Sequence, residues 1–295
     1  MGKLEVKELL DAGVHFGHLT RKWNPNMAPF IYMERNGIHI INLYKTVAKI
    51  DEAAEALKKI AASGRKILFV ATKKQAKEIV AEAASKVNMP YITERWPGGM
   101  LTNFVTIRKA VKKMAAIDRM KKDGTFNTLS KKERLQTDRL RDKLEKNLGS
   151  ISDMTRLPGA LFVVDIKKEH IAVAEAQKLN IPIFAMVDTN SDPRQVDYVI
   201  PANDDASKSI NVVLSFVTDA IADGLSERKA DKEKVKEAPK KEEAKVEAPK
   251  AEVVAPEVEE AKVETPAKEE APKAKAPKKA KKKAEVAETP AEEKK

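Results

Sequence analysis

The chain has 295 residues, of which 56 are Lys or Arg and 45 are Asp or Glu, and it contains no Cys. The absence of Cys excludes disulfides, Cys-ligated zinc, iron–sulfur clusters and thiol catalysis. A net charge of +11 favours a polyanionic partner such as nucleic acid, and without a long apolar run or a signal-peptide core we expect a cytoplasmic protein with no membrane contact.

The composition changes near Ser226 and divides the chain into two parts. Residues 227–295 hold 20 basic and 18 acidic residues with no Gly and no aromatic residue, so we predict a disordered tail that cannot build a core. Residues 1–226 carry every aromatic residue and all 11 Gly. We predict that this part folds.

The first predicted elements are a tight hairpin and a helix. Asn36-Gly37 lies between two β-prone runs, which is the commonest short-range sign of a hairpin. Apolar residues then recur at helical spacing, and we predict a helix that Thr46 caps and Ser63-Gly64 ends. The apolar run at 66–71 predicts a strand covered on both faces, and Thr72-x-x-Gln75 predicts the capping box of the next helix.

Strands and helices alternate along most of the remaining folded part. We predict strands at 91–94, 161–166, 183–187 and 198–200, and helices at 169–179 and 206–222, with Gly224 ending the last helix. Repeated strand–helix units indicate an α/β fold, in which a parallel sheet carries helices on both faces.

Residues 102–150 interrupt this alternation and contain no candidate strand. Apolar residues recur on two helical segments, of which Asp123-Gly124 ends the first and a Ser130-x-x-Glu133 capping box begins the second. We predict an inserted helical hairpin with 14 basic and six acidic residues. The predicted domains are a discontinuous α/β sheet domain (1–101 and 151–226), this basic hairpin (102–150) and the tail (227–295).

Four cations of the first hairpin helix share one face. Arg108, Lys109, Lys112 and Lys113 lie one turn apart on the side away from the apolar residues, so one phosphate backbone could contact them together. A solvated helix face has the same pattern, and both interpretations stay open.

Both Trp residues of the chain follow basic residues, in Arg21-Lys22-Trp23 and in Arg95-Trp96. A guanidinium beside an exposed indole can bind phosphate while the ring stacks on a base. The alternative is that both rings pack against the ends of the sheet.

Acidic residues follow several of the predicted strands. Because the carboxyl ends of parallel strands border the ligand crevice of such sheets, His18, Asp188 and Asp205 could together hold a structural divalent ion. Asp residues after strands are also ordinary helix caps and turn formers. No nucleophile–base pair accompanies them, so the set does not indicate catalysis.

The chain lacks the glycine-rich loops that bind nucleotide phosphates. After the strand at 66–71 it reads Lys73-Lys74-Gln75, and neither G-x-G-x-x-G nor G-x-x-x-x-G-K-[ST] occurs. We therefore predict a protein that is not an enzyme and needs neither a cofactor nor a small-molecule substrate. The alternative is a cytosolic Rossmann-like enzyme that binds a nucleotide or a sugar phosphate.

Several sequence blocks resemble the bacterial family of small-ribosomal-subunit protein two. In order and spacing, the blocks are Gly13–His18, Trp23–Pro25, 31–43, Arg95–Asn103, 157–165, 169–170, 181–182, 187–190, 192–193 and 200–205. The resemblance covers residues 4–225 and implies a flavodoxin-like sheet with a protruding antiparallel coiled-coil arm.

The resemblance also implies a function. Members are structural proteins between the head and body of the small subunit, where they contact ribosomal RNA and neighbouring proteins and help recruit the large OB-fold protein numbered one. By position, the residues implied in RNA or protein contact are Arg21, Lys22, Trp23, Arg95, Trp96, Asn103 and Arg108. Pro97 departs from the family, since many members carry an apolar residue there.

The tail is longer than is usual in the family, so no role for it follows from the resemblance. Residues 261–295 hold 11 basic and seven acidic residues, and this end could touch RNA transiently. A solvated, dispensable extension is the alternative, and we expect deletion of 227–295 to leave the fold intact.

Overall fold

The computed structural model describes residues 4–243, with side chains described for 4–230. The helices are α1 (Val6–Asp11), α2 (Leu43–Ala62), α3 (Lys74–Lys86), α4 (Phe104–Lys122), α5 (Lys131–Leu148), α6 (His170–Lys178) and α7 (Ser207–Glu243). The strands are β1 (Phe16–Leu19), β2 (Ile31–Arg35), β3 (Ile38–Ile41), β4 (Ile67–Val70), β5 (Tyr91–Ile92), β6 (Ala160–Val164), β7 (Ile183–Val187) and β8 (Tyr198–Pro201).

A five-stranded parallel sheet confirms the predicted α/β fold. Its strand order is β5-β4-β6-β7-β8, which is the order of flavodoxin-like doubly wound sheets. From β4 the chain adds β5 on one side of the sheet, and it then adds β6, β7 and β8 on the other side. The strand order therefore reverses between the neighbours β4 and β6, where Phe69 pairs with Phe162. In sheets of this kind, ligands bind outside the carboxyl ends of the strands at this reversal point.

Apolar clusters lie on both faces of this sheet. Helices α2, α3 and α7 cover one face, and α6 covers the other together with the segments that lead into α4 and out of α5. Every residue of β4, β6 and β7 is buried, as expected for strands covered on both sides.

The predicted hairpin at Asn36-Gly37 is confirmed, and it belongs to a second, antiparallel sheet with the order β1-β3-β2. Both turn residues have positive φ, 53° at Asn36 and 73° at Gly37, as a type I′ turn requires. The sequence did not predict α1 or β1. Each is only four to six residues long, too short to show a clear hydrophobic period.

Two predicted helix caps are wrong because both Thr side chains bond to distant parts of the chain. Asn42 caps α2, whereas Thr46 is buried and its hydroxyl donates to the Pro201 carbonyl at 2.7 Å. Thr72 does not cap α3, since its hydroxyl donates to a Glu169 carboxylate oxygen, which also accepts from the Thr72 backbone N–H at 2.8 Å. A local sequence pattern cannot reveal either long-range partner.

The two predicted helices of the 102–150 insertion are present as α4 and α5. The Ser130–Glu133 capping box is confirmed, and Gly124 adopts a positive φ of 75° after the end of α4. Two ion pairs join the helices, between Lys121 and Asp138 at 2.7 Å and between Arg141 and Asp118 at 2.9 Å.

The predicted end of the last helix at Gly224 is wrong, because α7 continues to Glu243. A Cβ at Gly224 would lie 2.5 Å from the Lys58 carbonyl oxygen, so this glycine permits close packing of α7 on α2. Residues 227–243, predicted as the start of a disordered tail, are therefore helical. The remainder of that predicted tail, 244–295, lies outside the described residues.

One segment of α7 is long and apolar enough to cross a membrane by length and composition alone. It spans Ser207–Ala230 with a mean hydropathy of 1.2, and half of the scored window is buried within the protein. Its apolar residues belong to the core over the sheet, including Ile210, Val213, Leu214 and Val217. Core packing therefore accounts for its hydropathy.

The course of α7 changes the expected effect of truncation. A chain ending at residue 243 should melt at the temperature of the full chain, measured by differential scanning calorimetry. A chain ending at residue 226 should fold but melt lower, because it lacks the ion pair of Glu227 with Lys58 and the packing of Arg228 on Gly64. Equal melting of the two truncated chains would contradict a structural role for residues 227–243.

Candidate functional site

A cluster of charged side chains lies at the carboxyl edge of the parallel sheet. Lys73 follows β4, and its ammonium lies 2.7 Å from Asp204, 2.6 Å from Asp205 and 3.8 Å from Asp165. The three carboxylates follow β6 and β8, whose carboxyl ends meet at this edge. Lys73 therefore stands at the reversal point between β4 and β6, where a dinucleotide-binding fold places glycines.

His18 reaches this cluster from β1. Its Nδ1 lies 2.9 Å from a carboxylate oxygen of Asp188, and its Nε2 lies 3.3 Å from Asp205. Gly17 allows this approach, because a Cβ there would come within 2.9 Å of the His39 carbonyl oxygen and of the Thr189 side chain. The structure thus brings together His18, Asp188 and Asp205, as the sequence predicted.

Burial and crowding alter protonation in this cluster. Burial, followed by the charges of Asp188 and Asp165, raises the pKa of Asp204 to about 7, although Lys73 opposes the shift. The hydrogen bond with Asp188 raises the pKa of His18 against the opposing effect of burial. Burial alone would lower the pKa of Lys73, but its bonds to Asp204 and Asp205 raise it.

The cluster has the donor set of a divalent-ion site. One ligand atom from each of His18, Asp188, Asp204 and Asp205 lies within 4.8 Å of the others. One buried oxygen of Asp188 and one of Asp204 receive no aligned hydrogen bond, although His18 Nδ1 lies close to the former. Imidazole and carboxylate groups are suitable ligands for such an ion. Asp204 was not among the ligands predicted from the sequence.

A second buried carboxylate, that of Glu175 on α6, fixes the loop that leads into α4. It accepts hydrogen bonds from Trp96 Nε1 at 3.0 Å and from the backbone N–H groups of Gly99 at 2.8 Å, Leu101 at 2.9 Å and Thr102 at 3.1 Å. Burial opposes ionisation of Glu175, but these donors together lower its pKa. No sequence pattern identified Glu175, because its partners lie more than 70 residues away.

Replacing Glu175 with Gln should lower the free energy of unfolding by about 2–4 kcal/mol, because the new amide N–H groups face backbone donors and leave them unpaired. The lowered pKa of Glu175 adds stability above its unfolded pKa, which is lost as the pH falls through the folded pKa. Urea unfolding between pH 3 and 7 measures both effects. A variant with unchanged stability at pH 7 would contradict the assignment.

The two Trp residues have different surroundings. Trp96 is 6% exposed and held by Glu175, so the structure favours the packing alternative for its ring. Trp23 is 37% exposed, and its ring centroid lies 5.0 Å from that of His39. Arg21 and Lys22 are exposed beside Trp23. The arrangement of an exposed indole beside cations is therefore present at Trp23 alone.

The predicted cationic face of α4 is exposed along its length. Arg108, Lys109, Lys112 and Lys113 all point to solvent, and no ion pair joins any of them to a side chain within 4–230. Met114 and Ile117 are buried on the opposite side. Arg95 and Asn103, on the loop before α4, are also exposed.

The antiparallel sheet carries an exposed apolar face that the sequence did not reveal. Phe16 lies opposite Ile40, which lies opposite Met33, so these side chains share one face. Phe16 is 50% exposed, Met33 47% and the neighbouring Leu19 52%. Exposed apolar surface of this kind often marks a protein interface. Because β1 was not predicted, no sequence pattern grouped these residues.

Comparisons with known proteins agree on one family. The family described as Ribosomal protein S2 matches residues 9–224 of this chain. A small ribosomal subunit protein uS2 of Flavobacterium johnsoniae is 79% identical over 253 residues, covering 86% of this chain and 96% of the relative. The protein of the same name from Parabacteroides distasonis is 67% identical over 245 residues, covering 82% of this chain and 88% of the relative.

Proposed function

This chain belongs to the ribosomal protein S2 family, and from this membership we propose how its surfaces act in the small ribosomal subunit. The protein is a non-enzymatic structural component of the cytoplasmic ribosome that serves translation and binds ribosomal RNA and other ribosomal proteins. The alternative of a Rossmann-like enzyme is therefore wrong, in agreement with Lys73 at the position of a phosphate-binding glycine.

We propose that the protein sits between the head and body of the subunit, with α4 and α5 forming an antiparallel coiled-coil arm that lies on ribosomal RNA. The single observation that carries this proposal is the exposed face of Arg108, Lys109, Lys112 and Lys113. Exposed cations without ion pairs can contact phosphates without first breaking an internal ion pair. Ion pairs between α4 and α5 support an arm that keeps this face oriented.

Further RNA or protein contacts are proposed at the two loops with aromatic residues. Arg21 and Lys22 would bind phosphate while Trp23 stacks on a base or sugar. Arg95 and Asn103 would contact RNA beside the base of the arm. Trp96 would contribute by holding this loop, since its ring is buried.

The exposed apolar face around Phe16, Leu19 and Met33 supports a protein partner. We propose that neighbouring proteins, including the large OB-fold protein numbered one, are held through this part of the molecule. The face is apolar at its centre, as protein interfaces often are. We also propose that the sheet domain (1–101 and 151–226) acts as a rigid base and that the hairpin (102–150) acts as the arm.

We propose a structural divalent ion at His18, Asp188, Asp204 and Asp205. Mn²⁺ or Zn²⁺ should raise the melting temperature of the protein in proportion to the logarithm of the ion concentration above the dissociation constant. Asp188→Asn should abolish this rise, whereas Asp153→Asn, at an exposed position outside the cluster, should keep it. A rise that persists in Asp188→Asn would place the ion elsewhere.

Sucrose-gradient sedimentation of the tagged protein from a cell lysate tests the proposed function. We expect one copy per small subunit, and release when the RNA is digested. A pool that stays at the top of the gradient, or a stoichiometry that varies with protein concentration, would contradict it.

A further inference from the structure

A second cationic surface lies at the opposite end of the parallel sheet from Lys73. Its five cations are Arg65 and Lys66, just before β4, Lys86 at the end of α3, and Arg228 and Lys229 on α7. They line a groove of about 390 Å³ together with small, amide and apolar residues, and no acidic residue lines it. We call this surface the amino-end groove.

The cations of the amino-end groove have no ion-pair partner among the side chains that the structure describes. None of its five cations makes an ion pair with a carboxylate within 4–230, and the adjacent Glu227 is occupied by Lys58 at 2.6 Å. Lys66 donates to the Asn88 carbonyl at 2.6 Å, which positions its ammonium without neutralising it. Five cations line this one groove and repel one another, so the arrangement favours a bound anion.

Two glycines leave room for the arginines of the groove to pack against the backbone. Gly64 has a φ of +82°, and a Cβ there would come 2.6 Å from Nε of Arg228. A Cβ at Gly159 would come 2.8 Å from Cδ of Arg65. Each arginine side chain thus packs directly on the backbone of a glycine, in space that the Cβ of any other residue would fill. Packing of this kind reduces the entropy that the side chains lose on binding.

We propose that the amino-end groove binds the sugar–phosphate backbone of ribosomal RNA, an inference that rests on the proposed function and adds a second RNA contact to it. The groove has no aromatic side chain for stacking on a base, and its larger apolar residues are buried (Val87 and Met89) or half-buried (Leu225), which leaves the small Ala222 as its exposed apolar residue. An interface with a protein would be expected to centre on exposed apolar side chains. A cationic groove that lacks both features fits phosphates.

The position of the groove gives the binding of RNA there a structural consequence. The loop into α4 follows the carboxyl end of β5, whereas the groove lies where β4 and β5 begin. RNA bound at the loop and in the groove would contact the parallel sheet at both its carboxyl edge and its amino edge. The arm and the groove would then resist rotation of the protein in a way that a single attachment cannot.

The salt dependence of binding tests the proposal. Small subunits stripped of this protein are titrated with the full chain and with Arg65→Gln/Lys86→Gln/Lys229→Gln, whose three side chains are exposed. The slope of log K against log salt should fall by roughly 2–3, at about 0.7–0.9 for each phosphate that the variant no longer neutralises. The control Lys7→Gln/Lys74→Gln/Lys178→Gln removes the same charge elsewhere and should keep the slope. An equal slope for both triple variants would overturn the proposal.

A photo-crosslinker identifies the partner. Benzoylphenylalanine placed at Lys86 of the full chain should form adducts with RNA in assembled subunits, and nuclease should reduce their size. Adducts that resist nuclease but not protease would identify an acidic protein as the partner and overturn the proposal, as would the absence of adducts. If the unmodified chain fails to join the stripped subunits, the proposed function fails as well; if it joins, only the groove is in question.

Discussion

Replacing both Arg108 and Lys112 with Glu should weaken attachment of the protein to the small subunit roughly tenfold or more. Both side chains are exposed on the cationic face of α4, and neither pairs with a described side chain, so the change should leave the fold intact. Two attractive interactions with phosphate become two repulsive ones. The ratio of the two affinities should be largest at low salt, because the variant neutralises fewer phosphates and its log K falls less steeply with log salt. Raised salt weakens the binding of both proteins, so the variant is the first to be released.

Occupancy in subunits purified at raised salt measures the effect. Lys74→Glu/Lys178→Glu is a matched control, because it makes the same change of charge at exposed positions outside the arm. The control should remain bound while the arm variant is released. Unchanged occupancy of the arm variant, with the control also retained, would reject the arm as an anchor.

Replacing Lys73 with Met should lower the free energy of unfolding by about 3–5 kcal/mol at pH 8, the cost typical of leaving buried charges without their partner. Lys73 is the cation that lies closest to Asp204 and Asp205, and Asp204 is fully buried. Met replaces the unbranched four-atom stem of Lys and lacks only the ammonium group, so the loss of stability mainly reports the charge. The neighbouring Lys74→Met, at an exposed position, should have little effect.

The loss of stability in Lys73→Met should be smaller at pH 5. The pKa of Asp204 is raised to about 7 in the folded protein, so its proton stabilises the fold at low pH and this contribution is lost as the pH rises through 7. Without Lys73 that pKa rises further, because the opposing cation is gone. Urea unfolding at both pH values measures the difference. A loss that is equal at pH 5 and pH 8 would contradict the charge argument.

The sequence predicted elements whose signals are local. The hairpin needed only Asn36-Gly37, the second arm helix needed the Ser130–Glu133 box, and β7 was predicted with its observed bounds because it is a continuous apolar run. Predictions failed where a distant partner decides the outcome. The predicted helix end at Gly224 is wrong, because this glycine is needed for the close approach of the Lys58 carbonyl.

The candidate sites also divide into those with a signal in the sequence and those that depend on distant parts of the chain. His18, Asp188 and Asp205 could be grouped because residues that follow parallel strands meet at one edge. Glu175 could not be identified, since nothing in α6 marks the loop that it holds. The amino-end groove could not be found by counting charge along continuous segments, because its cations come from three separate parts of the chain.

Directed hydroxyl-radical cleavage from the arm tests the central claim most directly. The chain has no Cys, so a single Cys introduced at Lys113 can carry a tethered iron chelate in an assembled subunit. The account predicts strong, localised cuts in ribosomal RNA from this position and weaker ones from a Cys at Lys178 on α6. No cleavage from Lys113, in subunits that contain the labelled protein at full occupancy, would contradict it.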